Sequence, residues 1–428
     1  MKFTFIFPEQ SYIKGRFWLK SLFTVEPPVI AKLKSLVPEN VECEFFDERI
    51  ENIKFKTKTD LVFITINTFT AYRGYQIAEK FRKLGKTVII GGLHATLCPE
   101  EASKYADCVI TGEAELTFPQ MLQDFYDEKL QKFYHAEKKC NLANVQLDRS
   151  IFKGKRYIPY RHVEVSRGCR YNCNFCTIAK VYEQNVSLRP VDEIIEDIKN
   201  IGVKYIGLID ENACTNIEYR KELYRHMIPL KKKWFAQITL KALLEEEFVE
   251  LMAKSGCFNV FIGMESISED VLKNMNKRHN IIEEYEKAFD NCVKYNISVS
   301  IGTILGYEGD TLENAKLTFE YLNNKQLFMS IFTTFFPIPN TPSYNQLKTQ
   351  NKLVKNDWWI SDEIFFSMRL IKYDVKNEFT GVAQRYFVEY LALKNIFKRF
   401  IKSKYRIGMR FFILWFNLFM KYNINAFG

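Results

Sequence analysis

The sequence lacks the features of a secreted or membrane-spanning protein. No run approaches the ~18 apolar residues that a membrane span needs. No signal-peptide cleavage pattern follows the apolar start at residues 1–7. Ten cysteines are scattered through 428 residues without the pattern of a disulfide framework, and such usage is typical of a reducing compartment. We therefore expect a cytoplasmic protein. Attachment to the inner face of the membrane is compatible with this expectation.

A second cysteine pair of the kind that completes a zinc site is also missing. Cys169, Cys173 and Cys176 have the spacing C-x3-C-x2-C, just after a run at 162–166 that predicts a strand. Zinc usually takes four ligands, often from repeated C-x2-C pairs. A cubane [4Fe-4S] cluster normally takes four thiolates, so three cysteines would leave one iron open to an exchangeable chelating ligand. A zinc site and three unrelated thiols are the alternatives.

Acidic residues are scarce at the end of the chain. Residues 381–428 contain nine Lys and Arg against one acid, Glu389, so this tail carries +8 of the net charge of +10. Elsewhere the composition is that of a folded protein, since 47% of residues are apolar and 26% are charged. The length predicts two or three domains, which we place at 1–140, 161–345 and 346–428, with a linker at 141–160.

The first third of the chain alternates predicted strands with helical stretches. The predicted strands are residues 2–7, 41–46, 61–66, 87–90 and 108–111. This alternation favours a doubly wound, Rossmann-like parallel sheet. Gly91, Gly92 and Gly112 follow two of the strands, at the edge where such sheets bind ligands. A tight turn explains these glycines equally well.

The middle of the chain repeats strand and helix about six times. The predicted strands are residues 162–166, 205–209, 235–240, 259–263, 298–304 and 329–335. Six such units predict a partial, open (β/α)6 barrel of the TIM type, whose chemistry lies at the carboxyl ends of the strands. Pro337, Pro339 and Pro342 then predict that the barrel stops.

The cysteine spacing, with Phe175 before the last cysteine, resembles the signature of the radical S-adenosylmethionine (SAM) enzymes. In that family the open iron chelates SAM, and an electron from the cluster splits SAM into methionine and a 5'-deoxyadenosyl radical. The residues that the resemblance places near SAM are Phe175, Asp210, Glu211, Asn212, Gln237, Glu265 and Ser266. A helix N-cap is the alternative for residues 210–212. Cys214 and Cys257 could exchange hydrogen with substrate, or fill the core.

Residues 60–65, 91–102 and 106–115 resemble the cobalamin-binding domain that precedes the radical module in one subgroup of this family. The positions implied as cobalamin contacts are Thr68, Gly91, Gly92, His94, Gly112 and Glu113. The D-x-H-x-x-G pattern that supplies a histidine to cobalt elsewhere is absent, so a hydrogen-bonding role in the loop is the leading expectation for His94. A domain that binds no cobalamin remains an alternative.

The tail predicts a basic amphipathic helix. Tyr386, Tyr390, Leu393, Phe397 and Phe400 recur at helical spacing and form one apolar stripe. Such a helix can lie on an anionic membrane surface. The alternative is that the stripe packs on the barrel.

Together these resemblances imply a cobalamin-dependent methyltransferase that acts on an unactivated carbon of a small-molecule or lipid-like substrate. A flavodoxin or ferredoxin would donate electrons, and we expect no nucleic-acid partner. Ring closure or rearrangement without methyl transfer uses the same parts. A tRNA methylthiotransferase would carry three cysteines at strand ends of the first domain, where Cys43, Cys98 and Cys108 do not fall, and would end in a small β-barrel rather than a helical tail. A non-catalytic iron-sulfur or cobalamin carrier would leave Gln237 and Glu265 without a purpose.

Overall fold

The computed structural model describes residues 1–9, 24–213, 216–325, 327–361, 379 and 381–427, the last five of these without their side chains. The chain forms two units. The first comprises residues 1–160, 338–340 and 355–363, and the second comprises 161–337, 341–354 and 364–428. Each contains a six-stranded sheet, as the alternation of strands and helices predicts.

The sheet of the first unit is parallel, with strand order β2-β1-β3-β4-β5-β6. Its strands are β1 (Lys2–Phe7), β2 (Glu42–Asp47), β3 (Leu61–Thr65), β4 (Thr87–Gly91), β5 (Cys108–Thr111) and β6 (Phe133–His135). In register, Phe5 lies between Phe45 of β2 and Phe63 of β3. The strand order reverses between β1 and β3, the switch point at which doubly wound sheets open a ligand crevice.

Helices cover this sheet and bury its aromatic core. They are α1 (Pro28–Ser35), α2 (Ala71–Lys83), α3 (Leu93–Leu97), α4 (Pro99–Ala102) and α5 (Ala114–Tyr126), with a 3-10 turn at Arg149–Phe152. The Phe63 ring stacks on Phe5 at 5.0 Å between centroids and meets Phe118 of α5 at 5.1 Å. Helix and sheet therefore share one aromatic stack.

The second unit forms an open arc with strand order β14-β13-β12-β11-β10-β7. Its strands are β7 (Tyr160–Glu164), β10 (Tyr205–Ile209), β11 (Lys233–Gln237), β12 (Cys257–Glu265), β13 (Ser298–Leu305) and β14 (Met329–Thr334). The pairs from β10 to β14 are parallel. A small antiparallel pair, β8 (Ser166–Arg167) and β9 (Ser187–Leu188), follows β7. The partial (β/α)6 barrel is confirmed.

Helices alternate with these strands. They are α6 (Thr177–Tyr182), α7 (Val191–Asn200), α8 (Ile217–Met227), α9 (Glu246–Lys254), α10 (Glu269–Asn274), α11 (Tyr285–Lys294), α12 (Leu312–Asn323) and α13 (Pro342–Thr349), with 3-10 turns at Ile228–Leu230, Leu240–Leu244 and Ile282–Glu284. Trp234 of β11 is fully buried and stacks on Tyr224 of α8 at 4.7 Å. The barrel core thus extends from the strands into the helix layer.

The C-terminal region is helical, but the predicted single stripe is divided. Helix α14 (Val382–Tyr390) ends before α15 (Leu393–Lys402), and α16 (Ile407–Phe427) follows. Tyr390 is fully buried and Tyr386 stacks on Phe319 at 4.8 Å, whereas Leu393 and Phe397 are exposed. The first part of the stripe therefore packs on the barrel. Within the described residues, no helix is both long enough and apolar enough to cross a membrane.

Residues 355–361, which we assigned to the C-terminal region, group with the first unit. Trp358 and Trp359 lie in this segment. Both indoles are buried there, with Trp358 5.7 Å from the Phe69 ring and the Trp359 N–H donating to Glu101 at 3.0 Å. The free energy gained by burying these two large aromatic rings determines which unit they join, whatever their position in the sequence.

Candidate active site

The three predicted cluster cysteines lie in one closed loop, residues 168–186, which we call the cysteine loop. Its ends are joined because Ser166 pairs with Leu188, and Arg167 with Ser187, in the β8–β9 ladder. Helix α6 begins directly after Cys176, the third cysteine. The loop is therefore a defined structural element after the first barrel strand.

Gly168 makes the entry into the cysteine loop possible. Its φ is +85°, in the left-handed region that favours glycine. A Cβ atom here would lie 2.0 Å from the carbonyl oxygen of Asn185. The Gly168 N–H donates to Oε2 of Glu211 at 2.9 Å. Only glycine fits this bend.

A turn after α10 holds the cysteine loop from the other side. The Asn174 N–H donates to the Met275 carbonyl at 3.0 Å, and its side chain donates to the Asn274 carbonyl at 2.9 Å. The Asn276 side chain in turn donates to the Asn172 carbonyl at 2.7 Å. These reciprocal bonds fix the residues on either side of Cys173, the second cysteine.

The surroundings of the thiols suit metal-bound sulfur. Burial raises the pKa of Cys173 to about 12, and burial also raises the pKa of Cys176 although the N–H groups of Ile178 and Ala179 donate to its sulfur. The Asn212 amide donates to Sγ of Cys169 at 3.6 Å. Hydrogen bonds to cysteine sulfur are a recurrent feature of iron-sulfur sites. Burial opposes the thiolate form, whereas the N–H donors favour it, and these donors therefore fit Cys169 and Cys176 as cluster thiolates.

The arrangement of ligands does not match a single metal ion. Across the described ranges, no group of three or more His, Cys, Asp or Glu side chains is placed to hold one ion. In a cubane cluster each thiolate binds a different iron, so its sulfurs need not converge on one point. The zinc alternative has no support in this geometry.

A buried ion pair accompanies the cysteines. Lys277 Nζ lies 2.6 Å from Oε1 of Glu265, and the two side chains are 12% and 10% exposed. Glu265 ends β12 with φ +66°. Gly263 leaves room for the pair, since a Cβ there would lie 2.5 Å from Oε1 of Glu265. Burial opposes the charge of Lys277, but Glu265 and the thiol of Cys173 raise its pKa overall.

Lys277 is a residue that the sequence did not identify. It lies in a turn after α10, where no periodicity or motif marks it. Its ammonium lies 5.8 Å from the centre of the Phe175 ring, on which the resemblance placed a SAM contact. Glu265, expected to contact SAM, faces this lysine instead of standing alone at its strand end. The pair thus places one positive and one negative charge beside the cysteine loop.

Residues 210–212 surround the entry to the loop. The Oδ1 of Asp210 accepts hydrogen bonds from Arg220 and Ser166, and these side chains are buried. Asp210 therefore has a protein cation as its partner, where the resemblance placed the amino group of SAM. The N-cap alternative is wrong, because α8 begins later and Asn216 caps it by accepting from the Tyr219 N–H at 3.1 Å.

The remaining predicted SAM positions lie at or just beyond strand ends. Gln237 is the last residue of β11 and its side chain is exposed. Ser266 follows β12, is buried, and accepts from the Ser268 N–H at 3.1 Å. In the turn after β13, the half-buried carboxylate of Asp310 accepts from the Gly306 N–H at 2.7 Å. The SAM role of Gln237 and Ser266 stays a prediction.

The structure describes only one of the two cysteines, Cys214 and Cys257, that we predicted to exchange hydrogen with substrate or fill the core. Cys214 lies outside the described residues. Cys257 is buried at the start of β12, and its thiol donates to the Asn259 carbonyl at 3.6 Å. Barrel chemistry lies at the opposite, carboxyl ends of the strands, so the hydrogen-exchange role for Cys257 is wrong and the core-filling alternative holds.

In the first unit, the predicted glycines lie at the carboxyl edge of the sheet. Gly91 ends β4 and Gly92 has φ +101°, where a Cβ would lie 2.6 Å from the Ile66 carbonyl oxygen. Gly112 follows β5 with φ +76°, and its N–H donates to Oγ1 of Thr96 at 3.0 Å. Because glycine has no side chain, the backbone of these loops can approach neighbouring residues closely. Such an edge fits a large flat cofactor as well as a tight turn.

His94 has a structural role in this unit. It is 0% exposed, with Nε2 3.0 Å from Glu101 and Nδ1 3.3 Å from Thr68. Glu101 also accepts from the Tyr75 hydroxyl at 2.8 Å and from Trp359. These donors outweigh burial and hold the pKa of Glu101 below its usual value. Both ring nitrogens of His94 are engaged, so this histidine offers no free nitrogen to cobalt.

Glu113 has a protein partner as well. Its Oε2 accepts a hydrogen bond from the Cys140 N–H at 2.5 Å, and the residue is 8% exposed. This bond joins the loop after β5 to residues past β6. The cobalamin contacts assigned to Thr68, Gly91, Gly92, Gly112 and Glu113 stay predictions.

Comparison with known proteins agrees with this geometry. The Radical SAM superfamily model matches residues 163–322. The bacteriochlorophyllide d C-8(2)-methyltransferase of Chlorobaculum tepidum is 30% identical over 355 residues, covering 76% of this chain and 77% of that protein. The bacteriochlorophyllide d C-12(1)-methyltransferase of the same organism is 27% identical over 345 residues, covering 78% and 75%.

A solved structure shares the fold over most of this chain. The radical S-adenosylmethionine methyltransferase TsrM from Kitasatospora setae, with cobalamin and a [4Fe-4S] cluster bound, has a TM-score of 0.67 and covers 82% of this chain and 75% of that one. Its sequence identity is 14%. This likeness establishes the fold.

Proposed function

Because this chain belongs to the radical SAM superfamily, and within it to the enzymes with a cobalamin-binding-type first domain, we propose that it methylates an unactivated carbon of a small-molecule or lipid-like substrate. The family predicted from the cysteine spacing is confirmed. The chain is an enzyme whose cofactors are a [4Fe-4S] cluster, SAM and cobalamin.

The observation that carries the reaction type is the extent of the match to the two bacteriochlorophyllide methyltransferases. Both alignments cover about three quarters of this chain and of each relative. Since this is more than residues 161–428 contain, both alignments reach into the first unit as well as covering the radical module. Ring closure uses the same two parts, but the names of both relatives favour methyl transfer.

The residues of this chain have separable tasks. Cys169, Cys173 and Cys176 hold the cluster, and the ion pair of Lys277 with Glu265 sets the charge beside it. When bound, the cluster supplies the electron that cleaves SAM, and cobalamin carries the methyl group. Gly91, Gly92 and Gly112 leave a backbone-lined edge for the cobalamin.

The enzyme takes a small-molecule substrate and a reductant. We propose an amphiphilic or lipid-like substrate, because the two relatives are named for bacteriochlorophyllide. We propose flavodoxin or ferredoxin as the electron donor, and peripheral contact with a membrane through the basic C-terminal helices. Nucleic acid is not among the proposed partners.

An anaerobic experiment tests the reaction. The cluster is reconstituted, hydroxocobalamin is added and the excess removed, and the visible spectrum is recorded beside SAM cleavage with a strong reductant and a bacteriochlorophyllide as trial substrate. Retained corrinoid, 5'-deoxyadenosine and S-adenosylhomocysteine together support methyl transfer. Deoxyadenosine without retained corrinoid contradicts it.

Two cysteine variants provide the matched comparison. Cys173→Ala removes a cluster ligand and is expected to abolish both bound iron and deoxyadenosine. Cys43→Ala changes a half-buried thiol of β2 in the first unit and is expected to retain both. Equal loss in the two variants would contradict the assignment of the cluster to the cysteine loop.

A further inference from the structure

The C-terminal helices enclose a small pocket away from the cysteine loop. Its walls come from α15 and α16, with Ile396 and Ile413 as apolar parts and two arginines, Arg399 and Arg410, as polar parts. Ser403 and Asn417 contribute further polar side chains. The enclosed space is only about 10 Å³, so an anion would meet the two guanidinium groups at the opening of the pocket.

Arg399 is almost completely buried, at 5% exposure. Its Nη1 donates to Oδ1 of Asn323 at 2.9 Å, and its Nη2 donates to the Tyr390 carbonyl at 2.9 Å and to Oδ1 of Asn417 at 3.1 Å. All of these partners are neutral. The Nε of Arg399 is buried and has no hydrogen-bond partner.

Arg410 repeats this pattern on the opposite helix. Its Nη2 donates to the Phe400 carbonyl at 2.9 Å, and its Nε is also buried without a partner. No acidic residue occurs in the sequence after Glu389. Two guanidinium groups thus share a pocket without a carboxylate, although buried charges are normally paired. A bound anion would supply the missing acceptor.

The surface around the pocket is both apolar and basic. Ile401 is 72% exposed, and Ile407, Phe411 and Trp415 on one face of α16 are 61%, 55% and 59% exposed. The opposite face of α16 packs on the barrel core, so this helix is apolar on both sides. A surface helix that is apolar all round needs a second covering.

The exposed lysines and arginine beside these side chains favour an anionic covering. They are Lys394, Lys398, Lys402, Lys404 and Arg406. A second copy of this chain would bring one cationic face against another. Nucleic acid would leave the indole and the isoleucines without an apolar partner. An anionic lipid surface satisfies both the charge and the apolar area.

We propose that the Arg399–Arg410 pocket binds the phosphate of an anionic phospholipid headgroup, while Ile407, Phe411 and Trp415 enter the acyl region. Guanidinium N–H groups match phosphate oxygens in geometry and charge. This proposal deepens the membrane contact proposed above. It is independent of methyl transfer, because no residue of the pocket belongs to the cysteine loop or to the sheet edge of the first unit.

The test uses the full-length, cluster-loaded protein and two binding assays. Sedimentation compares vesicles of phosphatidylcholine alone with vesicles that also contain phosphatidylglycerol. Thermal denaturation compares monomeric dihexanoyl-phosphatidylglycerol with inorganic phosphate. We expect binding to the phosphatidylglycerol vesicles and stabilisation by the short-chain lipid.

Three variants distinguish lipid binding at the pocket from attraction by the general surface charge. Arg410→Gln and Arg399→Gln are expected to weaken lipid binding by at least about tenfold, the effect of losing a charged hydrogen bond. Arg406→Gln makes the same charge change at an exposed neighbouring position and is expected to weaken it by less than about twofold. Arg410→Gln carries the test if the more buried Arg399 variant does not fold.

Three results would overturn the proposal. Equal weakening by Arg406→Gln and Arg410→Gln would mean diffuse charge attraction without a pocket. Stabilisation by inorganic phosphate without lipid binding would mean an anion site unrelated to membranes, and binding displaced by an oligonucleotide would mean a nucleic-acid surface. Cleavage of SAM is measured in every variant, so failure of the pocket is distinguishable from failure of the enzymatic proposal.

Discussion

Replacing Lys277 by methionine removes the only cation that contacts Glu265 among the described ion pairs. At 2.6 Å and an effective dielectric constant of about 20, the Coulomb attraction of the pair is about 6 kcal/mol. The cost of removing both charges from water offsets much of this. Breaking a buried pair by deleting one partner nevertheless costs about 3–5 kcal/mol, because the other charge stays buried alone. We expect Lys277→Met to lower the free energy of unfolding by that amount.

Urea denaturation followed by far-UV circular dichroism measures this loss in cluster-free protein. The matched control is Lys254→Met, whose ammonium lies 2.7 Å from Glu250 but whose side chain is 60% exposed. That exposed pair contributes less than about 1 kcal/mol. The double variant Lys277→Met with Glu265→Gln should cost at least about 2 kcal/mol less than the sum of its single changes.

The same variant has an expected effect on metal binding. Lys277 favours the charged form of the Cys173 and Cys176 thiols, and the thiolate is the form that binds metal. Iron retained after reconstitution should therefore fall in Lys277→Met and stay at the wild-type level in Lys254→Met. If Lys277→Met is no less stable than Lys254→Met and retains full iron, the assigned role of the pair is refuted.

Three further predictions follow from single contacts. Gly168→Ala should lose bound iron, because its Cβ would lie 2.0 Å from a carbonyl oxygen, whereas Gly154→Ala, with φ +82° and no atom within 4 Å, should retain it. Burial raises the pKa of Glu211 from 4.5 to about 7, so the folded state binds this proton more tightly than the unfolded state. The free energy of unfolding should therefore fall by up to about 3 kcal/mol as pH rises from 4.5 to about 7. Glu211→Gln should remove this pH dependence. Glu101→Ala should cost about 2–4 kcal/mol in chemical denaturation because it strands three buried donors, whereas exposed Glu100→Ala should change little.

Local sequence was sufficient for the cysteine loop and for most strands. The spacing of the three cysteines and the glycine before them lie within a few residues, so the pattern determines the loop directly. The strand at Tyr205–Ile209 has the predicted bounds, because its apolar run is short and continuous. The fold class follows from such runs and their order along the chain.

Contacts between distant segments could not be predicted in this way. Lys277 reaches Glu265 only because Glu265 adopts a positive φ and Gly263 has no side chain. Trp359 packs in the first unit through a carboxylate 258 residues earlier, Glu101. Neither contact leaves a periodic signal, since each depends on tertiary packing rather than on neighbours in sequence.

The cysteine loop is held from two directions, and this has a consequence for cluster assembly. On one side, Glu211 and Asn212 bond to its first residues, and on the other, Asn174 is bonded to the turn after α10. All of these bonds are made by protein groups alone. We therefore expect the loop geometry to persist when metal is removed, unlike that of small metal domains that fold only on metal binding. Removing iron with a chelator should leave the far-UV circular dichroism spectrum unchanged and lower the unfolding temperature only modestly.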